Sequence, residues 1–224
     1  MMLTLLVLAL CASAVAQPSP RPVSFPTEDA GIVHADEYGT GDRGLVLAHG
    51  GRFTKESWAT QAARFAEAGF RVVAIDFRGR GQSRGGSHAS SADDVHFDVL
   101  AAIRYLRDTG ARSVSVIGAS FGGGAAAEAS TRASAGAIDR LVLLAHSPIE
   151  RPENIRAGRT LVILAKDDVS GSGPRLPRLR DQYERIRGMK ELVLLEGGAH
   201  AQFLFDTDQG DRLLRELLRF LDGG

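Results

Sequence analysis

Residues 113–131 constrain the fold more than any other stretch of the chain. Val114, Val116 and Ile117 are β-branched residues in a short apolar run, the composition of a buried strand. The run stops at Gly118, and small, helix-tolerant residues follow from Phe121 onward. Ser120 therefore falls on a sharp strand-to-helix turn inside Gly118-Ala119-Ser120-Phe121-Gly122, a G-x-S-x-G pattern. Small flanking residues let neighbouring backbone come close to such a turn. A helix N-terminus just beyond it favours developing negative charge. Taken alone, the stretch also suits a tight Gly-rich turn with no chemistry, with or without a bound phosphate.

The pattern occurs twice. Gly81-Gln82-Ser83-Arg84-Gly85 matches as well, but Gly86-Ser87-His88-Ala89-Ser90-Ser91 follows it, which is loop composition. No helix is expected to begin there, so Ser120 is the candidate nucleophile and Ser83 is not.

The rest of the chain alternates strand and helix. Val23–Phe25 and Gly31–His34 read as short strands, and Gly44–His49 as a buried strand running into a flexible loop at Gly50-Gly51-Arg52. Ser57–Ala68 carries Trp58, Ala62, Phe65 and Ala66 on one helical face, and Arg71–Asp76 is the next strand. A loop rich in Gly and Arg then leads to a capping box at Ser91–Asp94 and a helix with Val95, Val99, Ala102, Ile103 and Leu106 on its apolar face. Later elements are strands Arg140–Leu144, Thr160–Ala165 and Glu191–Leu195, with helices over Leu176–Ile186 and Asp208–Leu221. Wholly apolar strands alternating with helices predict a single α/β domain over 23–224, a mainly parallel sheet with helices on both faces. Sites in such sheets collect at the carboxyl ends of strands, where His49, Asp76, Ser120, His146, Asp167 and Asp168 fall.

Lys+Arg 27 against Asp+Glu 27 leaves no net charge, so nothing points to nucleic acid or an anionic membrane surface. Leu3–Val15 is apolar but too short to span a bilayer. Ala14-Val15-Ala16 and a Pro-rich segment follow, the pattern of a signal peptide over 1–16 cut after Ala16. The expectation is an exported protein, periplasmic or secreted, with a flexible linker over 17–22 and no stable membrane association after cleavage. Cys11 is the only cysteine, so the mature chain would have no disulfide, thiol nucleophile or thiolate metal site. His34, His88 and His96 do not stand at ligand spacing, and neither a metal nor a cofactor is expected.

Five segments in order resemble the α/β-hydrolase family. They are Leu45–Gly51 with Trp58, Gly69–Ser83, Gly118–Gly122, Ala165-Lys166-Asp167-Asp168 and Gly197-Gly198-Ala199-His200. The order Ser120…Asp168…His200 is that of the family's triads. The resemblance implies Ser120 as nucleophile, His200 as base and Asp168 as the acid that orients it. It also implies an oxyanion hole from the N–H groups of Phe121 and of Gly51 or Arg52. Ala165 stands where relatives carry Gly, and relatives similar to dienelactone hydrolases usually carry Cys where this chain has Ser120. About fifteen residues between Leu144 and Thr160 leave no room for a sizeable cap. The expectation is an open site for a small-molecule substrate, with Arg52, Phe77, His146 and Phe203 as candidate substrate contacts. Arg52, Arg78, Arg80 and Arg84 otherwise read as a solvated loop face, and His146 as equally suited to a structural role. Carboxylic ester hydrolysis is the reading. Amide or thioester hydrolysis with the same triad is the alternative, and a non-catalytic binding member of the fold comes after it.

Overall fold

The computed structural model describes residues 19–86 and 94–223. The strands of the main sheet are β1 (Arg21–Pro26), β2 (Ile32–Tyr38), β3 (Arg43–Ala48), β4 (Phe70–Ile75), β5 (Ser113–Ala119), β6 (Arg140–Leu144), β7 (Arg159–Ala165) and β10 (Met189–Leu195). A two-stranded hairpin of β8 (Val169–Ser170) and β9 (Gly173–Pro174) follows β7. The helices are α1 (Ala59–Glu67), α2 (His96–Asp108), α3 (Phe121–Arg132), α4 (Arg175–Arg185) and α5 (Gly210–Asp222).

The sheet runs β1-β2-β4-β3-β5-β6-β7-β10. β2 is antiparallel to both neighbours and every other pairing is parallel. Leu45–Ala48, Val116–Ala119 and Leu161–Ala165 are buried at successive positions. Both faces of these central strands are therefore covered, as their unbroken apolar runs require. Each parallel pair needs a crossover, and four of the helices supply crossovers: α1 after β3, α2 after β4, α3 after β5 and α4 after β7. β6 and β7 are joined instead by residues 145–158, which hold only a 3-10 turn at Pro152–Asn154. No cap domain is inserted there.

Three boundaries and one buried face differ from the sequence reading. Arg21 and Pro22, expected in the linker, already pair with Glu37 and Asp36 in β1–β2. β2 continues past His34 to Tyr38, because its buried carboxylates are matched: Asp36 by Lys55 at 2.9 Å, and Glu37 by Arg71, Arg21 and the Tyr105 hydroxyl. The helix expected over 57–68 opens with a 3-10 turn at Lys55–Trp58. α5 buries Phe220 with Leu213, Leu217 and Leu221, while Leu214 and Leu218 are only half-buried. The expected signal segment, Cys11, His88 and the Ser91 end of the capping box lie outside the described residues.

Candidate active site

The turn after β5 is built by close packing. A Cβ on Gly118 would lie 2.4 Å from the Gly122 carbonyl, and one on Gly122 would lie 2.4 Å from the Ala48 carbonyl. Only glycine fits at either place, so both ends of the pattern have a steric cause. Ser120 between them has φ 51 and ψ −115, a strained backbone for a residue with a side chain. Its N–H donates to the Leu144 carbonyl at 2.9 Å, and its own carbonyl accepts from Ser147 N–H at 2.9 Å. These bonds tie the strained residue to the end of β6 and hold the hydroxyl out from the sheet.

Two neighbouring turns bring an acid and a histidine to this hydroxyl. Lys166 N–H donates to the Leu195 carbonyl at 2.9 Å, and Asp167 N–H donates to that of Gly197 at 3.0 Å. The turns after β7 and β10 are thereby zipped together. Asp168 faces inward at 1% exposure, and its Oδ2 lies 2.6 Å from His200 Nδ1. His200 Nε2 lies 2.8 Å from Ser120 Oγ. Asp167 is exposed, its backbone pairing with the Gly197 turn. Arg175 was not singled out by the sequence. The β8–β9 hairpin folds it back, and its Nε donates to the other Asp168 oxygen at 3.2 Å. No motif marks that contact, because it depends on a two-residue hairpin.

The loop after β3 approaches from the opposite side. His49 is fully buried, with Nδ1 2.8 Å from the Gly50 carbonyl, and burial pushes its pKa down. Among the described residues, no acceptor meets the N–H groups of Gly51, Arg52 or Phe121. Phe121 is the first residue of α3, where free N–H groups and the helix dipole attract negative charge.

The other expected contacts separate into three outcomes. Arg52 is exposed beside the loop, and Phe203 is 45% exposed, its ring 5.1 Å from that of Phe53. Phe77 is buried edge-on against His49 and Phe121, so it supports Phe121 from behind rather than lining an opening. His146 is 1% exposed beneath α3, where a Cβ on Gly123 would lie 2.6 Å from its Cβ. Burial lowers its pKa to about 4, keeping the ring neutral at pH 7, and it does not line the cleft. Arg78, expected on a solvated loop face, is instead buried between Asp98 and Asp29. A cleft of about 640 Å³ reaches Phe121, next to Ser120 in sequence, but neither Ser120 nor His200 lines it. Its walls include Phe121, Ser147, Pro148 and Ile149 and the polar Glu128, Arg132, Arg151 and Asn154, while the expected contacts Arg52, Phe77 and Phe203 are not among them. Among the described residues, no three His, Cys, Asp or Glu side chains gather as metal ligands, and no helix is long and apolar enough to cross a membrane.

A serine on the elbow after β5, an acid after β7 and a histidine after the last strand, on a sheet of this order, define the α/β-hydrolase class. Within it, residues 41–166 match the family described as "Serine aminopeptidase, S33", and the chain belongs to that family. It is 32% identical over 112 residues to a non-heme haloperoxidase of Rhodococcus erythropolis, covering 50% of this chain and 39% of the relative. It is 30% identical over 123 residues to a bifunctional esterase/perhydrolase of Acinetobacter calcoaceticus, covering 54% and 44%. The chain thus spans less than half the length of the curated relatives it matches. Solved structures are similar over far more of it. An esterase from Exiguobacterium antarcticum gives a TM-score of 0.72 at 15% identity, covering 91% of this chain and 100% of that one. A bromoperoxidase from Bacillus anthracis gives 0.73 at 18%, covering 90% and 100%. At those identities the likeness is one of fold.

Proposed function

We propose that the protein is a serine hydrolase that cleaves carboxylic ester bonds of small or partly exposed substrates through an acyl-enzyme intermediate. The observation that carries this reading is the unbroken row Ser120–His200–Asp168, with contacts of 2.8 and 2.6 Å and the serine on a strained elbow. A serine hydroxyl is a weak nucleophile until a base takes its proton. His200 Nε2 accepts that proton as Ser120 Oγ adds to the ester carbonyl carbon. Asp168 fixes the tautomer that carries its proton on Nδ1 and stabilises the imidazolium. The tetrahedral oxyanion is met by the N–H groups of Phe121 and of Gly51 or Arg52. Collapse expels the alkoxide, which takes the proton from His200 and leaves Ser120 acylated. Water then repeats the sequence, releasing the acid and restoring the serine.

An open site without a cap favours short or protruding acyl groups over long buried chains. The family's description as a serine aminopeptidase favours amide hydrolysis as the second reading. A panel of nitrophenyl esters, acyl thioesters and aminoacyl nitroanilides, assayed with pure protein, separates the readings. Esters are expected to show kcat/KM at least about tenfold above the others, a gap of about 1.4 kcal/mol in barrier. Faster anilide cleavage would move the protein to the second reading. Export is likewise proposed, from the apolar segment ahead of Ala16. N-terminal sequencing of exported material should begin at or near Gln17, and a chain recovered only inside the cell with Met1 intact would refute it.

A further inference from the structure

The loop between β3 and the turn at Lys55–Trp58 has to hold its backbone still if an N–H of Gly51 or Arg52 is to meet an oxyanion. Gly50 and Gly51 have no side chains to anchor it, so the restraint must come from elsewhere. On the Gly50 carbonyl it comes from His49 Nδ1 and Phe53 N–H, at 2.8 and 3.0 Å, and on the Gly51 carbonyl from the Arg80 guanidinium. Among the described residues, one side chain accepts a backbone N–H of residues 49–54, and Asp76 Oδ1 accepts that of Lys55 just beyond them at 2.8 Å. Gln202 Oε1 accepts the Gly50 N–H at 2.7 Å, while its Nε2 donates to Ser57 Oγ at 2.8 Å. Ser57 Oγ in turn donates to the Thr54 carbonyl at 2.6 Å. The amide thus links Gly50 in the loop to Ser57 in the turn that follows it.

Gln202 stands two residues after His200, with Ala201 between them at φ 51. A left-handed alanine costs roughly 1–2 kcal/mol. It lies where the chain passes from half-buried His200 to Gln202, which is 5% exposed, and on to exposed Phe203. One short turn therefore carries both the ring at Ser120 Oγ and the amide clamped on the oxyanion loop. Gly50 is buried, so its N–H left without an acceptor would be driven to reorient.

We infer that Gln202 is a positioning residue for the hydrolytic reaction, locking the Gly50–Gly51 backbone so that the free N–H beyond it faces the developing oxyanion. The inference rests on the hydrolase reading above. Gln202 acts through Gly50 and does not touch substrate. It couples the histidine turn to the oxyanion loop, so the two halves of the machinery keep one spacing. Because the oxyanion forms only along the reaction path, loss of the clamp lowers kcat and spares KM.

The test uses Gln202→Met, which keeps the length and apolar bulk but removes both hydrogen bonds, and Ser57→Ala, which removes only the far anchor. Three quantities are read on one activated ester: kcat, KM and the inhibition constant of a trifluoromethyl ketone, whose hemiketal carries the oxyanion charge. Removal of one oxyanion donor costs about 10²–10³ in kcat, and a displaced donor costs part of that. Gln202→Met is expected to lose about 10- to 100-fold in kcat, with KM within about twofold and the inhibitor weakened in parallel with kcat/KM. Ser57→Ala is expected to lose about threefold or more in the same pattern, and it carries the test if Gln202→Met does not fold. A purely structural role would lower the melting temperature without splitting kcat from KM or weakening the inhibitor. Wild-type kcat in the folded variants, or a loss falling equally on KM, would overturn the proposal. If the wild-type chain itself neither turns over esters nor binds the ketone, the hydrolase reading fails instead.

Discussion

The two G-x-S-x-G stretches share two glycines and a serine and almost nothing else. At Ser120 the strain sits on the serine itself, and its hydroxyl faces a histidine ring at 2.8 Å. At Ser83 the positive φ values fall on Gly79 and Gly81, and the serine is 5% exposed. Ser83 Oγ accepts the His34 N–H at 2.8 Å, and Arg84 forms a bridge with Ile32. Gly81 takes φ 49, which favours glycine, and a Cβ there would lie 2.2 Å from Asp76 Oδ2. One stretch presents a hydroxyl and the other uses a hydroxyl to hold a loop on β2. The same pattern thus serves two packing problems, and the residue that carries the positive φ differs between them.

This contrast predicts that variants around Ser120 harm rate while variants around Ser83 harm stability. The largest effect is expected at Asp168→Asn. It should keep the fold, select the wrong imidazole tautomer and lower kcat on an activated ester by a factor on the order of 10⁴. Circular dichroism checks the fold. Next comes Arg78→Ala in the other loop. The Arg78 guanidinium lies 2.8 Å from Asp98 and 2.7 Å from Asp29, both largely out of water. Removing it strands the Asp98 carboxylate and should cost about 3–5 kcal/mol in urea unfolding. The folded fraction should retain its kcat. Ser83→Ala leaves a part-buried His34 N–H without its acceptor and should cost about 1–3 kcal/mol, again with little change in rate. The smallest effect is expected at Asp167→Asn, which should alter kcat by less than about tenfold because that carboxylate is exposed and does not touch His200. A rate collapse in Arg78→Ala or Ser83→Ala at full stability would erase the distinction between the loops.

The same contrast explains what the sequence disclosed. Crowding leaves a local trace, so the glycines around Ser120 and the turn after β7 could be read directly. The Ala165-Lys166-Asp167-Asp168 segment also separates its two carboxylates, since the strand ends at Ala165 and the turn points only the second one inward. Long-range polar pairing leaves no such trace. Arg78 looked like a solvated charge because its partners Asp29 and Asp98 lie 49 and 20 residues away. Asp36 and Glu37 hid the second half of β2 for the same reason. Gln202 was invisible, because an isolated glutamine in a polar segment becomes a clamp only when a loop 152 residues distant is folded against it. His146 lies just beyond the end of β6, as its place in the sequence predicts. Its burial depends on Gly123, whose missing side chain lets α3 settle over it.

The proposed reaction requires Ser120, and not Ser83, to be the nucleophile. The most direct measurement is to label the pure protein with a fluorophosphonate and map the adduct by peptide mass spectrometry, in the wild type and in both Ser→Ala variants. One adduct is expected, on Ser120, retained in Ser83→Ala and lost in Ser120→Ala together with ester turnover. An adduct on Ser83, or undiminished labelling and turnover in folded Ser120→Ala, would contradict that requirement.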